Sequence, residues 1–503
     1  EGASTSALLR CIAWRQDAGH SGFEAHTPTE EAEDTAMRYM SNLGKDKGGP
    51  QAGPISKVHT QHSLEQFSDF MQTGRGLPRI FALDGGQWGR ACDWSEESLG
   101  YRYSLENYMR TWILGNSGYL VEDMNVADFV YLPHCATGIF MHVVAKEQIE
   151  RQGQKKRRPR PRPNGSTETT PASEAYLEYE GSLPLRSTRQ VDGTYLMGAL
   201  KSWARVPEFK TCMDRRSCRF LIVSVYGRHV WRNLAGAFGA KAVFLTHAGL
   251  SGWLSQQPDL FLAHASRRRG RQAGAEPACR AICPLHCQRE PPPVLQDDVV
   301  LPWIVAFGWT RRSGQFSSRD IHVFYSGTQN SCAREKLHAM FRSRAEAELS
   351  GNVSGGAMGG RVLIFPPERR LMQEEWSELA FRSRLCLAPD GDSPNTGRLV
   401  EVIMHGCVPV IISERLQPPL HEHLDWSKIA FFVHEDDIAG LPRLLRWLAT
   451  PEGVRELTDR QEALSYAAAV LDYNQPGLMS SLAMALRSRV LRFWEPGTRP
   501  EAE

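Results

Sequence analysis

The chain has 503 residues, enough for two or three domains with sizeable hydrophobic cores. Its 59 Lys and Arg side chains nearly balance 57 Asp and Glu side chains, so the formal charge of +2 gives no reason to expect a nucleic-acid or anionic-membrane partner. No run of about eighteen apolar residues occurs, which excludes a transmembrane helix within this sequence.

The first part of the chain changes from a polar lead-in to an α/β pattern. Residues 1–75 are polar and loosely patterned, as is typical of a stem or a poorly ordered segment. Strands are predicted at Arg79–Asp84 and Val126–Pro133, with a helix between them at Leu105–Leu114. His134 follows the second strand, where it is a candidate for proton transfer; the alternative is that it only hydrogen-bonds within its own loop.

Two stretches interrupt the α/β pattern. Residues 152–174 alternate basic residues with prolines and end in a Ser/Thr-rich tail, which predicts a solvated insertion, with nuclear targeting or polyanion binding as alternatives. Residues 267–293 contain three cysteines at four-residue spacing and a histidine beside them. Because paired Cys-x-x-Cys spacing is missing, an insertion with a local disulfide is preferred over a zinc site.

Between and after these stretches the pattern resumes. Arg219–Val225 predicts a strand, and His229, which follows it, is a second candidate for proton transfer. His322–Gly327 predicts another strand, followed by a helix that carries Arg334 in its first turn. A phosphate could bind at that helix N-terminus beside Arg334; the alternative is an ordinary glycine turn.

The most informative stretch is Arg384–Ile412, which predicts a strand, a loop, a helix and a second strand. Such a βαβ unit directs backbone N–H groups and a helix N-terminus towards the carboxyl edge of a sheet. There the guanidinium of Arg398 would suit a diphosphate, and Glu401 could accept hydrogen bonds from ribose hydroxyls. The alternative is that Arg398 and Glu401, three residues apart, form only a surface ion pair.

The same stretch resembles the donor-site signature of the exostosin family of glycosyltransferases, in its plant and algal form. The resemblance rests on Gly391, Ser393, Arg398, Leu399, Glu401, Ile403, Gly406, Cys407, Pro409 and Val410. Further landmarks extend from about Arg79 to Trp494, and the C-terminal half matches better. The chain departs from the family pattern in lacking an acid between Arg228 and His229.

The resemblance implies an α/β protein with the GT-B fold, in which two Rossmann-like domains face each other across a cleft and carry loop insertions. The lead-in would cover residues 1–75. The N-terminal, acceptor-side domain would cover residues 76–306, including both insertions. The C-terminal, nucleotide-sugar domain would cover residues 320–475, and a final helix and tail residues 476–503.

The resemblance further implies an inverting glycosyltransferase that transfers a sugar from a UDP-sugar to a polysaccharide or glycoprotein glycan, with no metal and no cofactor. Its donor site would consist of Arg334, Gly391, Ser393, Arg398 and Glu401. Its general base would be His229 or His134. The alternative, which the missing acid motivates, is a catalytically weak exostosin-like partner subunit or a glycan-binding module.

The expected location is the Golgi lumen, in glycan or cell-wall biosynthesis, with an N-terminal anchoring segment absent from this chain. The expected partners are the nucleotide sugar, the glycan or glycoprotein acceptor and a related transferase in a homo- or heterodimer, but no nucleic acid. The eleven cysteines suit a secretory-pathway enzyme with a few disulfides and buried free thiols. Cys386 and Cys407 each adjoin a predicted strand and are expected to be buried as small apolar residues.

Overall fold

The computed structural model describes residues 60, 78–83, 105–115, 119–136, 197–215, 217–225, 237–247, 297–305, 318–349, 361–391, 394–473 and 475–493. The lead-in apart from Thr60, the two predicted insertions, His229 and Ser393 therefore lie outside the described residues. The chain divides into two compact units. The first runs over Pro78–Thr246 and takes in the chain end from Val490; the second runs over His247–Arg489.

Within the described part of the first unit, four strands lie side by side in chain order and run parallel. The strands are β1 (Ile80–Ala82), β2 (Phe129–Tyr131), β3 (Arg219–Ser224) and β4 (Ala242–Thr246). The helices are α1 (Leu105–Gly115), α2 (Met197–Trp203) and α3 (Pro207–Asp214). β2 and β4 are buried along their whole length, which explains why they appear in the sequence as continuous apolar runs.

The second unit contains a five-stranded parallel sheet with the strand order β10-β9-β8-β6-β7. Its strands are β6 (Ile321–Tyr325), β7 (Arg361–Ile364), β8 (Ser383–Pro389), β9 (Val408–Ile412) and β10 (Phe431–Val433). A short strand, β5 (Val299–Val300), precedes them. The helices are α4 (Cys332–Leu349), α5 (Gln373–Phe381), α6 (Gly397–Met404), α7 (Leu441–Trp447), α8 (Pro451–Leu471) and α9 (Pro476–Phe493).

Residues 297–305 group with the second unit, but their strand β5 is the fifth strand of the sheet that contains β1 to β4. Their predicted place in the N-terminal domain therefore stays a prediction. Two hydrogen bonds explain the grouping with the second unit. The backbone N–H of Leu420 donates to the carbonyl oxygen of Val300 at 2.9 Å, and the hydroxyl of Tyr473 donates to that of Pro302 at 2.9 Å. The segment is thereby held by the loop before β10 and by a residue that follows α8.

The predicted βαβ unit is confirmed as β8, α6 and β9. Gly406 ends α6 with a φ of +65°, in the left-handed region where glycine avoids the strain of a Cβ atom. Cys386 and Cys407 are buried as predicted, but they are joined to each other in a disulfide and are not free thiols. This disulfide links the middle of β8 to the residue before β9.

Two parallel sheets with intervening helices confirm the α/β class for the described part of the chain. In the part of the chain that the structure describes, no helix combines the length and apolar character needed to span a bilayer.

Candidate functional site

The candidate site lies where the order of strands in the second sheet reverses. β7 pairs with one side of β6, while β8, β9 and β10 follow on the other side. In open parallel sheets, ligands bind outside the carboxyl ends of the strands at such a switch point. We call the ends of β6 and β8, with the two residues after each, the β6/β8 edge. The four residues that follow the strands are Ser326, Gly327, Asp390 and Gly391.

Arg334, predicted as a phosphate ligand, projects from the first turn of α4 to this edge. Its side chain is buried, with only 9% of the residue exposed. Nε donates to the backbone carbonyl of Asp390 at 2.9 Å, and Nη1 donates to that of Thr328 at 3.3 Å. Among the described residues no carboxylate forms an ion pair with Arg334. A buried guanidinium that is bonded only to carbonyl groups is not neutralised by a direct ion pair, so the site suits an anion.

Gly391 is brought together with Arg334, as the predicted donor site requires. A Cβ atom at this position would lie 2.9 Å from Nη2 of Arg334 and 3.3 Å from Cγ2 of Thr396. The guanidinium therefore occupies the space that any larger residue at position 391 would need. Glycine at this position allows Arg334 to lie directly against the backbone of the loop.

Arg398 and Glu401 form an ion pair with each other on α6, with Nη1 and Oε2 at 3.1 Å. The guanidinium carbon of Arg398 also lies 4.1 Å from the ring centroid of Trp376 on α5. Only 6% of Glu401 is exposed, so the pair differs from the exposed surface pair considered as the alternative. Trp376 and Glu401 restrict the guanidinium from two sides, which is how a binding arginine is pre-organised. The roles of Arg398 and Glu401 towards a nucleotide stay predictions.

His134, one of the two predicted bases, is buried in the first unit just after β2. Its Nδ1 accepts a hydrogen bond from the backbone N–H of Ala136 at 3.3 Å and lies 3.7 Å from a carboxylate oxygen of Glu106. Burial lowers the pKa of His134 to about 4, although a backbone hydrogen bond opposes the shift. The ring is therefore neutral at physiological pH, and it is hydrogen-bonded both to its own loop and to the backbone of Val223 on β3. Its catalytic role stays a prediction.

A pair of buried carboxyl groups, Asp390 and Glu435, was not recognised in the sequence. Asp390 follows β8 and Glu435 follows β10, and Oγ of Ser413, just after β9, donates to Oδ2 of Asp390 at 3.0 Å. Burial raises the pKa of Asp390 to about 6 and, together with the charge of Asp390, raises that of Glu435 to about 8. Near neutral pH Glu435 therefore retains its proton. The signal for Glu435 was its position two residues after the apolar run Phe431–Val433.

Glu435→Gln is expected to stabilise the folded protein at pH 8 by about 2–4 kcal/mol and to change little at pH 4. The unfolded chain loses the Glu435 proton near its ordinary pKa of about 4.3, whereas the folded chain keeps it to about pH 8. The stability associated with this proton is complete below the unfolded pKa and is lost as pH rises through the folded value. Glutamine keeps the shape of the side chain but cannot ionise, so the variant does not lose this stability as pH rises.

This pH dependence can be measured as thermal unfolding midpoints of parent and variant between pH 4 and 8. Glu375→Gln is the matched control, because Glu375 belongs to the same unit but is 43% exposed in its ion pair with Arg369. The control should follow the parent curve. A Glu435→Gln curve parallel to that of the parent over the whole range would contradict the assignment of a raised pKa.

Beside the β6/β8 edge, the described residues offer the cationic side chain of Arg334 and not a metal-ligand set. In the described ranges, no group of three or more His, Cys, Asp or Glu side chains is placed to hold a metal ion. Arg334 and the first turn of α4 present positive charge at a carboxyl edge, an arrangement that can bind a phosphate and stabilise negative charge on a departing group.

Comparison with known proteins gives a family match in this half of the chain. Residues 294–448 match the family model described as the Exostosin GT47 domain. One relative, named as a probable glucuronosyltransferase of Oryza sativa subsp. japonica, is 41% identical over 132 residues, or 26% of this chain and 30% of the relative. Another, a probable glucuronoxylan glucuronosyltransferase of Arabidopsis thaliana, is 33% identical over 126 residues, or 23% of this chain and 27% of the relative.

A third relative, an Exostosin-1 homolog of Caenorhabditis elegans, is 39% identical over 71 residues, or 14% of this chain and 19% of the relative. The chain thus spans 30% or less of the length of each of these relatives. The matches confirm the exostosin resemblance, and the family domain includes every residue of the β6/β8 edge. The family model begins at residue 294 and so does not include Pro78–Thr246 of the first unit, where the resemblance stays a prediction.

Proposed function

We propose that this chain, which carries an exostosin GT47 domain over residues 294–448, is a glycosyltransferase that moves a sugar from a nucleotide sugar to a glycan. One observation carries the proposal. Arg334 is buried at the switch point of a parallel sheet, has its guanidinium fixed by carbonyl groups, and forms no ion pair among the described residues. Such a group binds an anion, and a diphosphate is the anion that a nucleotide sugar provides.

The donor is proposed to be UDP-linked, and the transferred sugar to be glucuronic acid. The names of the plant relatives support this choice of sugar. An acceptor hydroxyl attacks the anomeric carbon with inversion, the bond from that carbon to the diphosphate oxygen breaks, and the base accepts the hydroxyl proton. Negative charge grows on the leaving nucleotide, and Arg334 and Arg398 stabilise it more strongly in the transition state than in the ground state.

The base is proposed to be His229 or His134. Burial and hydrogen bonding make the neutral ring of His134 a weak proton acceptor. The two parallel sheets are compatible with the GT-B fold, which belongs to the proposal together with metal independence. An oxidising compartment, proposed as the Golgi lumen, is supported by the Cys386–Cys407 and Cys212–Cys218 disulfides. A polysaccharide or glycoprotein glycan is the proposed acceptor, and a related transferase the proposed dimer partner.

The test is to incubate the purified chain with UDP-glucuronic acid, other UDP-sugars and GDP-mannose, each with and without oligosaccharide acceptors. Acceptor-dependent release of UDP from one donor, with the matching mass increase of the acceptor, is the expected result, and it should persist in EDTA. Tight UDP binding without turnover would favour the partner-subunit alternative. No binding of any nucleoside diphosphate would overturn the proposal.

A further inference from the structure

Tyr325, the last residue of β6, brings a buried hydroxyl to the β6/β8 edge. Only 2% of the residue is exposed, and its Oη has no hydrogen-bond partner among the described residues. Buried polar groups are nearly always hydrogen-bonded, since an unsatisfied hydroxyl loses its bonds to water without compensation. An unpaired phenol at the end of a strand at a ligand-binding edge therefore indicates a ligand that supplies the missing acceptor.

The phenol is held in place from two directions. A Cβ atom at Gly327 would lie 2.7 Å from Oη of Tyr325 and 3.2 Å from its Cζ, so the hydroxyl lies directly against the glycine turn after β6. On the other side, the ring of His338 on α4 lies 5.3 Å from the ring of Tyr325. Nε2 of His338 is also 3.3 Å from the carbonyl oxygen of Gly327, which fixes the turn relative to the helix.

The electrostatic surroundings of the phenol favour an anionic acceptor. Burial raises the pKa of Tyr325, and the positive charges of Arg334 and Arg398 lower it. The hydroxyl is thus a neutral donor at physiological pH, close enough to both guanidinium groups to respond to their charge. An O–H group beside two cations is complemented by a negatively charged oxygen, with which it forms a short, strong hydrogen bond.

We propose that the Tyr325 hydroxyl donates a hydrogen bond to a diphosphate oxygen of the donor nucleotide, beside Arg334 and against the Gly327 turn. Tyr325 then joins the two arginines as a third ligand of the leaving group. The inference rests on the proposed function, because it requires a nucleoside diphosphate at the β6/β8 edge.

The test compares the parent with Tyr325→Phe, which removes one oxygen and keeps the ring. We expect UDP to bind about tenfold more weakly to the variant in isothermal titration calorimetry. The affinity for UMP, which lacks the second phosphate, should fall less between the parent and the variant. The melting temperature without ligand should stay the same or rise, because the variant no longer buries an unpaired hydroxyl.

Tyr131→Phe is the matched control. Tyr131 is also the last residue of a parallel strand, β2, and is 1% exposed, but it belongs to the first unit. This control should bind UDP like the parent, whatever happens to its stability.

The outcomes separate the inference from the function on which it rests. Equal UDP affinity of the parent and Tyr325→Phe overturns the inference and leaves the proposed function intact. If Tyr325→Phe has a lower melting temperature and loses affinity for UDP and UMP equally, Tyr325 has a structural role and the inference is also overturned. A parent that binds neither UDP nor any other nucleoside diphosphate overturns both.

Discussion

Arg334→Ala is expected to lower kcat/KM for the nucleotide sugar by a factor of about 10²–10³, equivalent to about 3–4 kcal/mol of transition-state stabilisation. The guanidinium is already desolvated and fixed by the carbonyl groups of Asp390 and Thr328 before a substrate binds, so little reorganisation accompanies the reaction. Arg334→Lys should recover little of the loss, because an ammonium group cannot bond both carbonyls and still present a planar fork. Initial rates at varied donor concentration measure the effect.

Arg319 provides a matched control at the opposite edge of the same sheet. It is buried, and its two Nη atoms donate to the carbonyl oxygens of Ser383 at 2.6 Å and His405 at 3.0 Å. Arg319→Ala therefore removes the same kind of buried bonds and should lower stability while leaving UDP affinity unchanged. If both arginine variants weaken UDP binding equally, Arg334 acts through folding and not through contact with the nucleotide.

Gly391→Ala tests the position of the Arg334 guanidinium without removing its charge. The added Cβ would come within 2.9 Å of Nη2, so the guanidinium must move and its bonds to the carbonyl groups of Asp390 and Thr328 must weaken. We expect a clear loss of donor affinity with a melting temperature lowered less than in Arg334→Ala, which removes those bonds altogether. Unchanged affinity would show that the location of the guanidinium beside Gly391 does not matter for binding.

Much of the second unit could be predicted because the apolar runs in its sequence are also its buried strands. Val408–Ile412 and Phe431–Val433 are buried strands of a parallel sheet, so each appears in the sequence as an unbroken apolar run. Gly406 marks the end of α6 because its left-handed backbone favours glycine. Arg334 was found from its place after a predicted strand and turn.

What could not be predicted depends on contacts between distant segments. Tyr325 and Trp376 have the signature of core residues. Nothing in their local sequence indicates that the Tyr325 hydroxyl lacks a hydrogen-bond partner in the described part of the chain or that the Trp376 ring packs on Arg398. The pairing of Asp390 with Glu435 joins residues that follow two different strands. Likewise, eleven cysteines allow many pairings. Only the fold brings together Cys386 on β8 and Cys407 just before β9.

Arg398→Ala is expected to reduce both donor affinity and kcat, with a total loss of about 2–4 kcal/mol. The interaction strengthens as charge leaves with the nucleotide, so ground-state binding alone does not describe it. Glu401→Gln keeps the side-chain shape but removes the charge that lies 3.1 Å from Nη1 of Arg398, so its main effect should be weaker nucleotide binding. Calorimetry with UDP and initial rates with the donor measure the two effects.

Arg369→Ala is the control for Arg398, because it has the same two kinds of contact in an exposed setting. Its guanidinium lies 4.6 Å from the ring centroid of Phe365 and pairs with Glu375 at 2.9 Å, yet 57% of the side chain is exposed. Such an exposed pair contributes only about 0.2–1 kcal/mol to stability and should contribute nothing to UDP binding. If Arg398→Ala binds and turns over donor as well as Arg369→Ala does, Arg398 only stabilises α6 against α5, and the donor site must be assigned without it.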